Sequence, residues 1–384
     1  MLYAGPCTLQ AQPAPAHRDT SRLQIAVMLP LYLDSAFDAG GTYRFGKTMP
    51  AYFMAGIEAY LGVLAAIDTL QMENARADIH VFDLRSDNTQ AEKLIRSDTL
   101  GSMDLLMGHV TLNEAALLSK YAAGKKIPFF NLNLPNDAGS SNNPFHILLN
   151  PTLATHCKAL YNHLQQTAAL EAVTYIQRNG PQEERLNSYL AEAEKNSAGT
   201  RLKIQRITVQ DSLDNEVLLG FADSLRANKI VIASFDQVFV QKILQQLGTL
   251  PKTVKWSVAG MPNWDQWDLT KPAFHGVEIT YGNTLNILPE NKIAQRLQQK
   301  LKSTNYIRTS ESTYRSMECL YFLGHLSKNK NLPFMSAIKG SHGTLFGEWD
   351  IAPVYNKKSG AVDFYENKKI SFLKKVDGQL KIVP

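Results

Sequence analysis

Short apolar runs rich in branched side chains alternate along this chain with longer stretches whose apolar residues recur at helical spacing. Such alternation is typical of β/α units built around a parallel sheet. In the first part of the chain the short runs predict strands at 24–30, 77–83, 104–109, 127–133 and 144–150. The longer stretches between them predict helices at 52–70, 89–100 and 113–123. The pattern therefore indicates an α/β fold.

The same alternation begins again near Asn150 and Pro151. Further strands are predicted at 171–177, 201–209, 229–235 and 253–260. Further helices are predicted at 152–167, 182–196, 214–226 and 236–247. Two consecutive series of this kind predict two Rossmann-like lobes, each a three-layer α/β/α sandwich.

The pattern changes after the aromatic loop over 261–274. The next elements predicted are a strand at 275–282 and helices at 290–303 and 311–328. Beyond residue 343, apolar and polar residues alternate between turns rich in glycine, asparagine and lysine, which predicts antiparallel strands. Asp377 and Gly378 are a strong tight-turn signal within this region.

The chain has 384 residues and a mass of 42.8 kDa, a length typical of two domains. Apolar residues make up 44% and charged residues 20%, as in packed globular proteins. The charges behind the net +5 are spread along the chain, so no basic block indicates a nucleic-acid partner. The longest apolar run, 54–67, contains Glu58 and is shorter than the roughly 18 to 20 residues of a membrane span, which predicts no transmembrane helix.

The cysteines are Cys7, Cys157 and Cys319, an odd number without C-x-x-C spacing, so they indicate neither a disulfide framework nor a zinc site. Cys157 and Cys319 fall in helical patterns, which predicts buried, inert thiols. Residues 1–22 are predicted to be a tail or the remnant of a signal peptide, and this favours export. Because Pro6 directly precedes Cys7, that cysteine is a weak candidate for lipidation.

One segment, Gly41–Thr48, matches the G-x-x-x-x-G-K-[ST] pattern of phosphate-binding loops. Such a loop must leave a strand directly and open a helix at its Lys-Thr pair. Here residues 31–40 separate it from the preceding strand, and Pro50 lies where the first helical turn would continue. The segment is therefore interpreted as a glycine-rich loop, with nucleotide hydrolysis as a distant alternative.

Other catalytic and metal-binding signatures are missing from the sequence. It contains no G-x-S-x-G, no G-x-G-x-x-G after a strand and no H-E-x-x-H. His156 and His163 lie seven residues apart on one predicted helix, without a third ligand nearby. We therefore expect no enzymatic activity, no cofactor and no metal site.

Polar and aromatic residues lie at or just after the ends of the predicted strands of both lobes, where open α/β sheets bind ligands. In the first lobe the candidate ligand-binding residues are Tyr32, Ser35, His109, Thr111, Asn131 and Asn133. In the second lobe they are Tyr175, Arg178, Asp236, Met261 and Trp264. Each of these residues alone is also suited to turn or cap chemistry. Their clustering at six strand ends, three per lobe, predicts a cleft with two walls.

Six segments carry a resemblance to a known family: IAVMLPLYL, MAGIEAYLGVLAAIDTL, VFDLRSDNTQAEKLI, DLLMGHVTLNEAALLSKYAAGKKIPFFNLN, AVTYIQRN and ESTYRSMECLYFLGHL. In order and spacing the chain after about residue 22 resembles the type I periplasmic substrate-binding proteins, the group that contains the Leu/Ile/Val-binding proteins of amino-acid transport. IAVMLPLYL and VAGMPNW are also similar to the binding-protein-like domains of outer-membrane lipoproteins that activate peptidoglycan synthases, and of envelope proteins that join this fold to peptidoglycan-binding modules.

In the transport family, first-lobe hydroxyl and backbone N–H groups hold the carboxylate of an amino acid, an acidic group holds its ammonium, and tyrosines close over it. The resemblance assigns the hydroxyl to Thr111 and the second-lobe aromatic to Tyr175. Asn131 and Asn133 depart from the family's usual Ser/Ala/Thr run, which puts an amino-acid ligand in doubt. Asp236 could receive the ammonium or cap the helix that follows it, and the cap is favoured.

The resemblance implies an exported, non-enzymatic binding protein that holds a small polar, amino-acid-like ligand by hinge closure, as in ABC-transporter substrate-binding proteins. Residues 23–150 plus about 330–384 are expected to form lobe I and 151–329 lobe II, with crossings near 150, 270 and 330. The expected location is the periplasm or cell envelope, and the expected protein partner is a membrane transporter. The alternative is an envelope scaffold or activator with the same fold, a degenerate cleft and a protein partner.

Overall fold

The computed structural model describes residues 22–168, 171–210, 213–285, 287, 290–304, 308–326 and 334–383. Within these residues the strands form two mixed β-sheets, each with parallel and antiparallel pairs, and helices connect many of the strands. The tail expected over 1–22, including Cys7, lies outside the described residues except for Arg22.

The strands of the described chain are β1 (Leu23–Leu29), β2 (Ala77–Asp83), β3 (Leu105–Gly108), β4 (Phe129–Asn131), β5 (His146–Leu148), β6 (Ala172–Gln177), β7 (Lys203–Thr208), β8 (Ala227–Ala233), β9 (Lys255–Gly260), β10 (Val277–Asn283), β11 (Gly340–Gly343), β12 (Glu348–Tyr355), β13 (Val362–Asn367), β14 (Ser371–Val376) and β15 (Gln379–Val383). The helices are α1 (Leu33–Ala36), α2 (Met54–Met72), α3 (Ala91–Arg96), α4 (Leu112–Lys125), α5 (Leu153–Ala168), α6 (Pro181–Asn196), α7 (Asn215–Gly220), α8 (Gln237–Thr249), α9 (Lys292–Thr304), α10 (Glu311–Leu326) and α11 (Phe334–Ile338).

The first sheet has the strand order β11-β12-β13-β5-β4-β3-β1-β2. Strands β1 to β5 and β13 pair in parallel, whereas β12 pairs antiparallel with both β13 and β11. One face of the sheet forms a core with α2, α9 and α10, and the other face forms a second core with α3 and α4. The inner parallel strands β1, β3, β4 and β5 are buried almost throughout, as expected for strands covered on both faces.

The second sheet has the strand order β15-β14-β10-β9-β8-β6-β7. Strands β6 to β10 pair in parallel, and β14 and β15 extend the sheet as an antiparallel hairpin. Its turn is Asp377-Gly378, and both residues have positive φ, at 47° and 78°. The tight turn predicted from this dipeptide is confirmed.

The chain crosses between the lobes at places that differ in part from those expected. The first crossing lies between β5 and β6, the second follows β10 at Asn283, and the third lies between β13 and β14. Helices α9 and α10 therefore pack in the first-lobe core, although 151–329 was assigned to lobe II. Strands β14 and β15 join the second sheet, although 330–384 was assigned to lobe I. The apolar period of a helix or strand gives its buried face but not the sheet it packs on, so the sequence could not settle these boundaries.

Helix α2 is long and apolar, and it packs against α10. With its preceding turn it spans 51–72, which by length and composition alone would suffice to cross a membrane, whereas the apolar run counted from the sequence was 54–67. The helix contributes Ala59, Val63 and Ala66 to the first-lobe core. Gly62 allows the close approach to α10, because a Cβ there would lie 2.1 Å from the carbonyl oxygen of Thr313.

Candidate functional site

A cavity of about 480 Å³ lies between the two lobes. Its walls come from the first two crossings, around Asn150-Pro151 and 282–285. Further wall residues are Phe235, Pro262, Asn263, Asp265 and Gln266 of the second lobe, and Thr309, Ser310, Glu311 and Tyr314 at the start of α10. Cavities of roughly 300 to 1,000 Å³ commonly hold small ligands, and the carboxyl ends of parallel strands are their usual location. This inter-lobe cavity is the candidate site.

Two carboxylates line the inter-lobe cavity, Asp265 from the second lobe and Glu311 from the first. The described residues that line it include no lysine and no arginine. Asp265 is solvent-accessible, but protein surrounds it within the cleft and limits the water around its carboxyl. This partial desolvation raises the pKa of the carboxyl. Hydrogen bonds from Asn283 and Tyr281 act in the opposite direction, and the charge of Glu311 adds to the rise in pKa.

Arg315, on α10, forms hydrogen bonds to residues at both of the crossings that border the cavity. Its side chain is buried, and Nη1 donates to the carbonyl oxygen of Leu149 at 2.9 Å. Nη2 donates to Oγ1 of Thr284 at 2.8 Å and also pairs with the carboxylate of Glu311. Charged hydrogen bonds to both crossings hold these hinge segments at a fixed distance from each other.

His156 also lines the cavity, and it is more than nine-tenths buried. No described residue forms a hydrogen bond with its Nδ1. Burial lowers the pKa of the imidazole to about 4, so the ring is neutral at pH 7. His163, on the same helix, instead stacks on Phe372 with ring centroids 4.2 Å apart. The described residues contain no group of three or more His, Cys, Asp or Glu side chains arranged to hold a metal.

The first-lobe loops that were expected to bind ligand are held by internal hydrogen bonds. The Asp83 carboxylate accepts the N–H groups of Leu31 at 2.8 Å, Tyr32 at 3.1 Å and Leu33 at 2.8 Å, which fixes the loop after β1. Tyr32 is half-buried in this loop, with its backbone in the left-handed region at φ 61°. Ser35 is exposed, in the short helix α1.

Thr111, predicted as a carboxylate-binding hydroxyl, begins helix α4 as its N-cap. It forms a capping box with Glu114, in which the Thr111 N–H donates to Oε2 of Glu114 at 2.8 Å. Glu114 is also ion-paired to Arg85. Half-buried His109 lies just before this cap, and burial lowers the pKa of its imidazole. The hydroxyl of Thr111 is therefore already used in local structure.

The two asparagines also stabilise the loops around them. The side chain of Asn133 forms two hydrogen bonds with the backbone of Val110, at 2.8 and 2.9 Å. Asn131 is fully buried, and its Oδ1 accepts the N–H of Leu134 at 3.1 Å. These bonds give a physical reason for large amides where the resembling family has small residues.

In the second lobe, Tyr175, Met261 and Trp264 belong to the hydrophobic core. Trp264 packs flat on Gly260, where a Cβ would lie 2.2 Å from the indole ring, so the VAGMPNW segment is a packing motif. Arg178 pairs with Asp236 at 2.5 Å.

Asp236 caps helix α8, as the sequence favoured. Its Oδ1 accepts the N–H groups of Val238 and Phe239 at 2.9 and 3.0 Å. These backbone bonds, with the nearby Arg178 guanidinium, lower the pKa of the Asp236 carboxyl.

None of the eleven candidates lines the inter-lobe cavity, and ligand contact by those residues stays a prediction. Sequence reasoning missed Asp265, Glu311 and His156 as wall residues. A usable signal existed for Asp265, because it directly follows Trp264 in a loop already selected by the strand-end rule. Glu311 has no such signal, since it begins a helix that the sequence assigned to the other lobe.

The glycine-rich segment Gly41–Thr48 is a loop of turns. Phe37 forms an isolated bridge with Tyr43, and the Tyr43 hydroxyl donates to the carbonyl oxygen of Thr48 at 2.9 Å. No helix opens at Lys47-Thr48; the next helical turn begins at Ala51, after Pro50. The geometry that a phosphate-binding loop requires is therefore missing from this segment, in agreement with its interpretation as a loop.

No family model matches the sequence, and no curated protein matches it. Solved structures match the fold. A protein described as a branched-chain amino acid ABC transporter from Rhodospirillum rubrum superposes with a TM-score of 0.65 at 11% identity, covering 94% of this chain and 100% of that one. An ABC transporter substrate-binding protein from Desulfitobacterium hafniense in complex with Leu has a TM-score of 0.57 at 9% identity, covering 94% and 100%.

Full-length LpoA from Haemophilus influenzae also matches, with a TM-score of 0.59 at 11% identity. The match covers 96% of this chain and 60% of LpoA. Sequence identities this low are evidence for a shared fold only. Together with the two lobes, their sheet order and the cavity between them, these likenesses show that the chain has the type I periplasmic substrate-binding protein fold.

Proposed function

We propose that this chain is an exported, non-enzymatic binding protein that holds a small polar ligand between its lobes and closes on it by a hinge movement. The observation that carries the proposal is the inter-lobe cavity of about 480 Å³ beside two of the three crossings. A ligand that contacts both lobes binds the closed form more tightly and therefore shifts the population toward it.

The walls of the cavity favour a ligand with both polar and apolar parts. Asn150, Asn283 and Ser310 offer amide and hydroxyl groups, whereas Phe235 and Tyr314 offer aromatic surface. An amino-acid-like metabolite fits this description, and so does any polar molecule of similar size. The proposed location is the periplasm or cell envelope, and the proposed protein partner is a membrane transporter.

A thermal-shift screen of small polar metabolites tests this function. We expect at least one compound to raise the melting temperature and to contract the particle in small-angle scattering, because it stabilises the closed form. Thr284→Val, which alters a cavity wall, should reduce the shift, whereas Thr344→Val, outside the cavity, should not. Both variants lose a hydroxyl hydrogen bond, so each is compared with its own ligand-free melting temperature. A complete metabolite panel without any shift would contradict the proposal.

The scaffold function is the second candidate, and a specific observation favours it. The first-lobe polar groups at the cleft edge, among them Asp83, Thr111 and Asn133, are already hydrogen-bonded within the lobe. The resemblance of IAVMLPLYL and VAGMPNW to the binding-protein-like domains of envelope lipoproteins also supports an envelope role with a protein partner. If no metabolite shifts the melting temperature while a purified envelope protein binds the chain with defined stoichiometry, the scaffold function replaces the transport function.

A further inference from the structure

The aspartate and glutamate among the described residues that line the inter-lobe cavity have no lysine or arginine beside them in that lining. Asp265 and Glu311 line the cavity from opposite lobes. The nearby guanidinium of Arg315 is buried and already bound to Glu311, to the Leu149 carbonyl and to Thr284. Arg315 offsets the charge of Glu311, and Lys375, which does not line the cavity, also acts on the carboxyl of Asp265. Within the described lining a bound cation still meets the Asp265 carboxylate, whereas a bound carboxylate meets no lysine or arginine.

Hydrogen-bonding groups beside the carboxylates lack partners. The amide of Asn263 donates through Nδ2 to the carbonyl oxygen of Phe235 at 3.2 Å, and no described residue donates to its buried Oδ1. His156 is more than nine-tenths buried, and its Nδ1 has no partner among the described residues. The ring is neutral at pH 7, so it adds no positive charge that would repel a cation. These groups offer hydrogen bonds to a polar ligand without favouring an anion.

The remaining walls fit the body of an organic cation. Phe235 and Tyr314 line the cavity from opposite lobes, and Leu153 and Pro262 add apolar surface. Aromatic faces attract cations by roughly 0.5 to 2 kcal/mol, depending on how far the pair is removed from water.

We propose that the cavity selects a small organic cation, an amine without a carboxylate, whose charged group lies against Asp265. This inference rests on the proposed function and specifies its ligand class. It differs from an amino-acid ligand in one chemical group, because the carboxylate of an amino acid would add a negative charge beside two existing ones.

Matched sets of three compounds test the inference by isothermal titration calorimetry at pH 7.5. Each set contains an amino acid, the amine in which hydrogen replaces its carboxylate, and the acid in which hydrogen replaces its α-amino group; leucine, phenylalanine and methionine give three sets. In at least one set we expect the amine to bind at least tenfold more tightly than the amino acid, and the acid not to bind.

The variant Asp265→Asn keeps the shape of the side chain and removes its charge, so it should weaken amine binding at least tenfold. Asp268→Asn is the matched control: Asp268 lies three residues further in the same loop, does not line the cavity, and accepts hydrogen bonds from Thr270. Its amine affinity should stay within twofold of wild type. Melting curves confirm that both variants fold.

The outcomes separate this inference from the proposed function. If an amino acid or an acid binds as tightly as the amine, or if Asp265→Asn leaves amine affinity unchanged, the selection of a cation is wrong while ligand binding stands. If no compound of any set binds, the inference is also wrong, and the wider metabolite panel then decides the proposed function.

Discussion

Two roles for Thr111, cap of helix α4 and ligand-binding hydroxyl, lead to different predictions for its substitution. Its hydroxyl is engaged in the capping box of α4. Thr111→Ala should therefore lower the free energy of unfolding by about 1 kcal/mol in urea titrations, because the cap is lost. Thr111→Ser should retain most of the stability. If the alanine variant keeps wild-type stability but loses ligand affinity, Thr111 is a ligand residue as the resemblance implied.

The protonation of Asp265 gives the inferred amine site a pH dependence. Its carboxyl has a raised pKa, caused mainly by loss of water. The charge of Glu311 raises the pKa further, whereas the hydrogen bonds from Asn283 and Tyr281 and the charge of Lys375 lower it. Amine affinity should fall as the pH is lowered through that pKa, because the protonated carboxyl no longer attracts a cation. Calorimetry between pH 7.5 and pH 4.5 measures this fall, which should be absent in Asp265→Asn. An equal fall in that variant would assign the effect to another group.

The same raised pKa has a consequence for the ligand-free protein. The folded state disfavours the charged carboxyl, so the contribution of Asp265 to stability is fully present below the pKa of the unfolded chain and is lost as the pH rises through the folded pKa. At pH 7.5 the ligand-free Asp265→Asn variant should therefore melt no lower than wild type. A clear decrease in its melting temperature would mean that Asp265 stabilises the loop.

At the scale of elements, the close contact between α2 and α10 predicts opposite effects on stability for alanine at Gly62, which lies in the contact, and at Gly124, which lies in α4. Gly62→Ala should cost about 1 to 3 kcal/mol of stability, because its Cβ would collide with the backbone of Thr313. Gly124→Ala lies in α4 with nothing within 4 Å, and should stabilise by about 0.5 to 1 kcal/mol through helix propensity. Urea unfolding of both variants measures the contrast. Equal stabilities would contradict the close packing of these two helices.

The elements themselves were largely predictable, because each depends on local periodicity. Strand β2 lies over the predicted 77–83, and α8 begins directly after the Asp236 cap. The placement of α9, α10, β14 and β15 was not predictable, since it depends on which sheet offers an uncovered face or edge. The walls of the cavity were not predictable for a related reason: the strand ends gave Thr111 and Tyr175, whereas the cavity is built mainly from the crossings, a second-lobe loop and the start of α10.

At the scale of the whole molecule, Arg315 links both crossings beside the cavity. Arg315→Lys keeps the charge but cannot reach Glu311, Thr284 and the Leu149 carbonyl together, so it should cost about 2 to 3 kcal/mol. The control Lys300→Met breaks the exposed pair with Asp68 and should cost at most about 1 kcal/mol. Urea titration measures both. Similar small losses in the two variants would contradict a structural role for Arg315 at the hinge.

The central claim is that the cavity between the lobes binds a small ligand and that the lobes close on it. Small-angle scattering of the full chain, with and without each compound of the metabolite and amine panels, tests it most directly. We predict a smaller radius of gyration with at least one compound, because a ligand that contacts both lobes favours the closed form. An unchanged radius with every compound would contradict the claim.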